Sequence, residues 1–329
     1  MSKRLGQHFL VNKRKIRKII DSLNLKDGDL VVEIGPGKGA LTKILLEYPV
    51  KLVAIEKDGV LVEELVEKFK MPSISSSLLQ TESSLRDCRG RSDANRSSLA
   101  MTEKKVIIEG DALEILPVLA DNLQLFKRCR GLQDRGATYN YKLVGNIPYY
   151  ITGRLLRVIG ELRHKPKLTV LTVQKEVAER ICAEPPKMNL LAASVQYWAE
   201  VKIVGYVPRK DFRPPPKVDS AIIRLESREQ NLESRNAPEN YYRLVRTLFK
   251  HPRKTILNNL QTESFKVSKF KSLNDRKLKG LKDQKEFILN SLEKINIDPG
   301  DRAQNLSIKE IIKLAGLLYT SRNGKEEGG

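Results

Sequence analysis

The chain has 329 residues, 40% hydrophobic and 30% charged, enough for one sizeable α/β core plus a smaller domain and unlike a disordered or fibrous protein. Its 60 Lys and Arg against 40 Asp and Glu leave a formal net charge of +20, which favours a polyanionic partner, nucleic acid first. Cys88, Cys129 and Cys182 are scattered, as are His8, His164 and His251, so no disulfide framework or metal site is expected; with no apolar run near ~20 residues and only a short polar stretch after Lys3-Arg4, a soluble cytoplasmic protein is expected.

Short runs rich in β-branched residues predict buried strands at 30–34, 52–55, 106–108, 143–144 and 168–173. Helical spacing separates them, as at Leu41, Ile44, Leu45 and at Leu61, Leu65, Val66, Phe69, so βαβ units on a parallel sheet follow. Residues 71–104 are Ser-rich and weakly periodic and read as a mobile surface insertion; 122–140 reads as a second, basic one. Two late strands, 203–207 and 218–225, are joined through Pro214-Pro215-Pro216. That connection is too short for a crossover helix, so the last strand is expected antiparallel. This first domain spans 1–227, followed by a polar linker at 228–240 and a helical domain at 241–320. Ser307-x-x-Glu310 is a capping box for the last helix, and 321–329 is expected to be a disordered tail.

The strand at 30–34 runs into Gly35-Pro36-Gly37-Lys38-Gly39 ahead of a helix, a loop that lets backbone and helix N–H groups approach a ligand. Gly35, Gly37, Ala40 and the later Glu56 fit a nicotinamide dinucleotide and S-adenosylmethionine equally well. Asp111 follows the third strand at the sheet's carboxyl edge, where it can accept from a cofactor adenine amine, cap the helix at 113–119, or do both. The fourth strand ends in Gly145-Asn146-Ile147-Pro148-Tyr149-Tyr150, for which a dehydrogenase has no use.

The exocyclic amine of adenine is a poor nucleophile because its lone pair is delocalised into the ring. Two acceptors aimed at its N–H groups, the Asn146 side-chain oxygen and a backbone carbonyl of the tetrad, would favour a pyramidal, attacking nitrogen. Pro148 stiffens that turn, and Tyr149 offers an aromatic face to an extruded base. Phe212, before Arg213-Pro214-Pro215-Pro216-Lys217, is a second candidate aromatic, or simply closes the core.

These residues, with Leu5-Gly6-Gln7-His8-Phe9-Leu10 and 212–220, closely resemble the ribosomal RNA adenine dimethyltransferase family acting on small-subunit RNA, over nearly the whole chain. The resemblance implies a Rossmann-like class I methyltransferase sheet of seven strands, the last antiparallel, and a small C-terminal all-helical domain that binds RNA. It implies S-adenosylmethionine as cofactor, covered by Gln7, His8 and Leu10, cradled by Gly35 and Gly37, with Glu56 on its ribose and Asp111 on its adenine. Asn146 and Tyr149 would serve the target base, and Asn146 would also border the cofactor. The implied product carries two methyls on each of two adjacent adenosines near the 3' end of small-subunit RNA, made on an immature subunit by a monomer. Arg253 and Lys254 match the family's basic segment, although Pro252 stands where the family has Arg. The competing readings are a large-subunit adenine dimethylase of the antibiotic-resistance type, a non-catalytic ribosome-assembly factor, and a nicotinamide oxidoreductase.

Overall fold

The computed structural model describes residues 7–76, 105–122, 140–228, 237–261 and 281–319. Two compact units emerge: Met1–Glu179 with Ala199–Arg228, and Arg180–Trp198 with Glu229–Gly329.

In the first unit, β1 (Phe9–Leu10) and α1 (Lys13–Ser22) precede β2 (Leu30–Ile34), α2 (Ala40–Leu45), β3 (Lys51–Glu56), α3 (Gly59–Phe69), β4 (Ser73–Ser75) and β5 (Lys105–Glu109). Next come α4 (Ala112–Asp121), β6 (Tyr141–Asn146), α5 (Thr152–Glu161), β7 (Leu168–Gln174) and α6 (Lys175–Ile181), which leads toward the second unit. After α7 (Leu190–Gln196) of that unit, the chain returns with β8 (Ala199–Val207), β9 (Phe212–Arg213) and β10 (Ser220–Ser227). The main sheet runs β4-β5-β3-β2-β6-β7-β10-β8. Its first six strands are parallel, while β10 lies antiparallel between β7 and β8. The central strands are buried on both faces, as their continuous apolar runs require of a covered parallel sheet.

Each of the seven predicted strands is present, and β4 is an eighth. It corrects the reading of 71–104 as surface from its first residue. Met71 and Ile74 are buried, and Ile74 pairs with Ile108 of β5. An alternating Ser-Ile-Ser is a sheet edge in miniature, hidden by the serine-rich composition around it. Residues 77–104 and 123–139, the rest of the two expected insertions, lie outside the described residues, as do 229–236 and the tail. The linker expected to reach 240 gives way earlier, because α8 (Ala237–Leu248) starts at Ala237 with Pro238 in its first turn, where a missing N–H costs nothing.

The chain steps from β2 outward to β3 and β5, then crosses back to β6 on the other side of β2. That reversal opens a crevice at the carboxyl ends of β2 and β6, where doubly wound sheets bind ligands. A separate two-stranded ribbon, Phe9 with Arg213 and Leu10 with Phe212, brings the segment before α1 to this edge.

The second unit packs α7, α8, α9 (Ile256–Leu260), α10 (Leu281–Glu293) and α11 (Ile308–Tyr319) around Ala193, Leu244, Leu248, Ile288 and Leu314. Arg180–Trp198 belongs here because α7 buries Ala192 and Ala193 in that core. Tyr241 donates to the Ala193 carbonyl at 2.8 Å, and its ring stacks on Tyr197 at 3.9 Å. At α11 the capping box forms: the Ser307 N–H donates to Glu310 Oε2 at 2.7 Å, and the Glu310 N–H donates to Ser307 Oγ at 3.3 Å.

Candidate active site

A cavity of about 690 Å³ sits in the crevice. Gln7, His8, Leu10, Gly35, Gly37, Glu56, Asp111, Asn146, Pro148, Tyr149 and Phe212 all line it, so twelve assignments on eleven residues converge on one space. Arg253 and Lys254 lie elsewhere, exposed before α9 in the second unit.

At one end of the cavity, β2 turns through the glycine loop into α2. Gly37 has φ +57°, and a Cβ there would lie 2.8 Å from the Phe9 ring, so glycine alone fits between loop and β1. The Gly37 N–H donates to Glu56 Oε2 at 3.0 Å, while Glu56 Oε1 accepts from the N–H groups of Lys57 and Asp58 at 2.9 and 3.1 Å. Burial still pushes the Glu56 carboxyl above its usual range. Glu33, one strand over and fully buried, accepts from Thr42 Oγ1 at 2.8 Å, and its Oε1 has no partner among the described residues. Burial, assisted by the charge of Glu56, drives its pKa to about 8. A buried acceptor left unpaired on a cavity wall fits a ligand with a donor or cationic group.

Asp111 caps α4, accepting from the Leu113 N–H at 2.9 Å through Oδ1, and pairs with Lys57 Nζ at 2.8 Å through Oδ2. Although burial raises its pKa, the hydrogen bonds from Lys57 and Leu113 hold it below the usual carboxylate range. An adenine amine reaching Asp111 would share Oδ1 with the Leu113 N–H or Oδ2 with Lys57, each oxygen having a second lone pair.

The other end is the tetrad. Asn146 Nδ2 donates to the His8 carbonyl at 3.0 Å. A carbonyl only accepts, so the amide orientation is settled and Oδ1 remains as an acceptor on a residue that lines the cavity. The Pro148 carbonyl accepts from the Ile151 N–H and the Tyr149 carbonyl from the Thr152 N–H, whereas the Ile147 carbonyl accepts from nothing among the described residues. Tyr149 Oη is 2.6 Å from Ser220 Oγ, and its ring stacks on His8 with centroids 5.9 Å apart. His8 Nδ1 carries a proton, since it donates to the Pro214 carbonyl at 2.8 Å. Gly145 permits the close approach behind this turn: a Cβ there would meet the Ile34 carbonyl oxygen at 2.8 Å.

Phe212 departs from its place as an open stacking face. It is 1% exposed and packs with Leu10, Val207 and Ile222 in the core, so it forms cavity wall. Sequence reasoning missed Glu33, whose signal was a carboxylate inside the apolar run Val31-Val32-Glu33-Ile34, and Lys57, which had none. Residues 57 and 111 meet only because β3 and β5 pair with Glu56 opposite Glu109.

A Rossmann-like sheet with a glycine loop, an acidic residue after the next strand and an Asn-Ile-Pro-Tyr turn across the crevice defines the class, a methyltransferase. A profile described as ribosomal RNA adenine dimethylase matches residues 1–296, and the chain belongs to that family. It is 34% identical over 313 residues to ribosomal RNA small subunit methyltransferase A of Dehalococcoides mccartyi, covering 95% of this chain and 86% of that protein. The protein of the same name from Mycoplasma capricolum is 33% identical, covering 96% and 97%. Among solved structures, a dimethyladenosine transferase from Plasmodium falciparum shares the fold with TM-score 0.67 at 24% identity, over 93% of this chain and 96% of that one. The 23S rRNA methyltransferase ErmE shares it with TM-score 0.60 at 21% identity, over 94% and 99%.

Proposed function

We propose that this enzyme dimethylates the N6 amines of two adjacent adenosines near the 3' end of small-subunit ribosomal RNA, using S-adenosylmethionine, on immature small subunits in the cytoplasm. The observation that carries the reading is the Asn146 amide on the cavity wall, whose nitrogen is committed to the His8 carbonyl and whose oxygen is thereby left as an acceptor. Named relatives at 33–34% identity favour the small-subunit substrate over the large-subunit alternative.

When bound, S-adenosylmethionine supplies an electrophilic methyl group on a sulfonium. Gly35, Gly37, Glu33, Glu56 and Asp111 would hold it, with Gln7, His8 and Leu10 closing over it. Asn146 Oδ1 and the Ile147 carbonyl accept the two N–H groups of the target amine and hold its lone pair out of the ring plane. Tyr149, fixed by Ser220 and His8, positions the base. No side chain is needed as general base, because the cationic product amine loses its proton to water. Within this reading the first unit carries catalysis, the second binds RNA through Arg253 and Lys254, and the enzyme acts as a monomer. Among the described residues no helix is long and apolar enough to cross a membrane.

Purified protein with labelled cofactor tests this. Label should enter small subunits from cells lacking the enzyme; label entering only naked large-subunit RNA would overturn the substrate assignment.

A further inference from the structure

Helix α1 breaks two local rules at once. Its exposed face carries Lys13, Arg14, Arg17 and Lys18, so cations stand four apart twice, at 13/17 and 14/18, where like charges destabilise a helix. Lys13 and Arg14 also occupy the first turn, which holds no acidic residue, against the positive end of the helix dipole. Asn12 Oδ1 accepts the N–H groups of Arg14 and Lys15 and keeps the helix start in place. None of the four cations forms an ion pair among the described residues, even though Asp21 stands four positions after Arg17. Lys15, by contrast, is committed, donating to the Tyr206 carbonyl at 2.6 Å. Local rules broken without internal compensation mark places that serve a partner.

The position of the helix says which partner. Lys13 and Arg17 line the same cavity as Asn146 and Tyr149, so the cationic face borders the crevice in which the proposed chemistry takes place. The opposite face, Ile16, Ile19 and Ile20, is buried in the sheet's core and leaves no apolar surface to insert into a membrane. We infer that the exposed face of α1 is a phosphate-binding surface that holds the RNA strand flanking the target adenosines. This rests on the function proposed above and adds a contact within the catalytic unit itself.

The test uses the full-length protein and a small-subunit RNA fragment bound at several salt concentrations. Lys13→Gln, Arg14→Gln and Arg17→Gln are combined, glutamine being a good helix former. Losing three phosphate contacts should flatten the slope of log affinity against log salt by about 2. The thermal unfolding midpoint should stay within a few degrees of the parent, which shows that the variant is folded. A paired variant on an exposed helix of the second unit, Lys309→Gln with Lys313→Gln, reports the effect of net charge alone. An unchanged slope in the α1 variant, or an equal change in both variants, overturns the proposal. So does loss of binding to anionic phospholipid vesicles with RNA binding intact. If the parent itself neither binds nor methylates the RNA, the enzymatic reading fails first and takes this surface with it.

Discussion

The two ends of the cavity are held by different means. Around Glu56 and Gly37 the ties are mostly backbone to carboxylate, made by residues within a few positions of strand ends that are paired in register. Around Asn146 and Tyr149 the ties are side chains reaching across the chain, Asn146 to His8, Tyr149 to Ser220 and His8 to Pro214. The first end therefore depends on conformational freedom at single glycines, whereas the second depends on β1 and the segment after β8 docking correctly. Under the proposed function, a cofactor end built into the sheet and a target end assembled over it can be damaged separately.

The largest separation is expected from Asn146→Ala. Methyl transfer should fall about 10² to 10³-fold, the range for removing one preorganised polar contact, while equilibrium binding of S-adenosylmethionine should weaken far less, through the lost tether to His8 alone. Equal losses in both would merge the two ends. Gly37→Ala should strike the other end, with about 1–2 kcal/mol of strain at a left-handed φ, displacement of Phe9, and weaker cofactor binding. Thermal unfolding and calorimetric titration would measure both.

Glu33→Gln sharpens the contrast through pH. In the folded chain its pKa is raised from 4.5 to about 8, so the protonated acid is the form that folding prefers. Stability without cofactor should decline as pH rises from about 4.5 through 8, and the glutamine variant should show a flatter profile in denaturant titrations; parallel profiles would contradict the burial argument. The smallest effect belongs to Tyr149→Phe and Ser220→Ala, each costing about 0.5–1.5 kcal/mol for the shared hydrogen bond. The double variant should cost no more than the larger single change.

Sequence legibility followed the same division. The strand at 30–34, the glycine loop, Glu56, Asp111 and the capping box at Ser307 are local patterns, and each appears where its spacing placed it. The tetrad stands out in the sequence as a motif, but that its Ile147 carbonyl is left without a donor among the described residues emerges only from the turn at Tyr149–Ile151, which engages the carbonyls of Pro148 and Tyr149. Strand β4 escaped because three residues are too few for a period to register above serine-rich surroundings. Lys57 with Asp111, 54 positions apart, and Phe212 in the core are products of strand pairing, which one-dimensional spacing does not carry.

The most direct measurement is mass spectrometry of nucleosides from small-subunit RNA in cells that carry the parent enzyme, the Asn146→Ala variant, or neither. Dimethyladenosine should be present with the parent and absent or nearly so in the other two, with the variant still binding S-adenosylmethionine when purified. Dimethyladenosine at parent levels in the Asn146→Ala cells would show that the turn after β6 does not activate the amine.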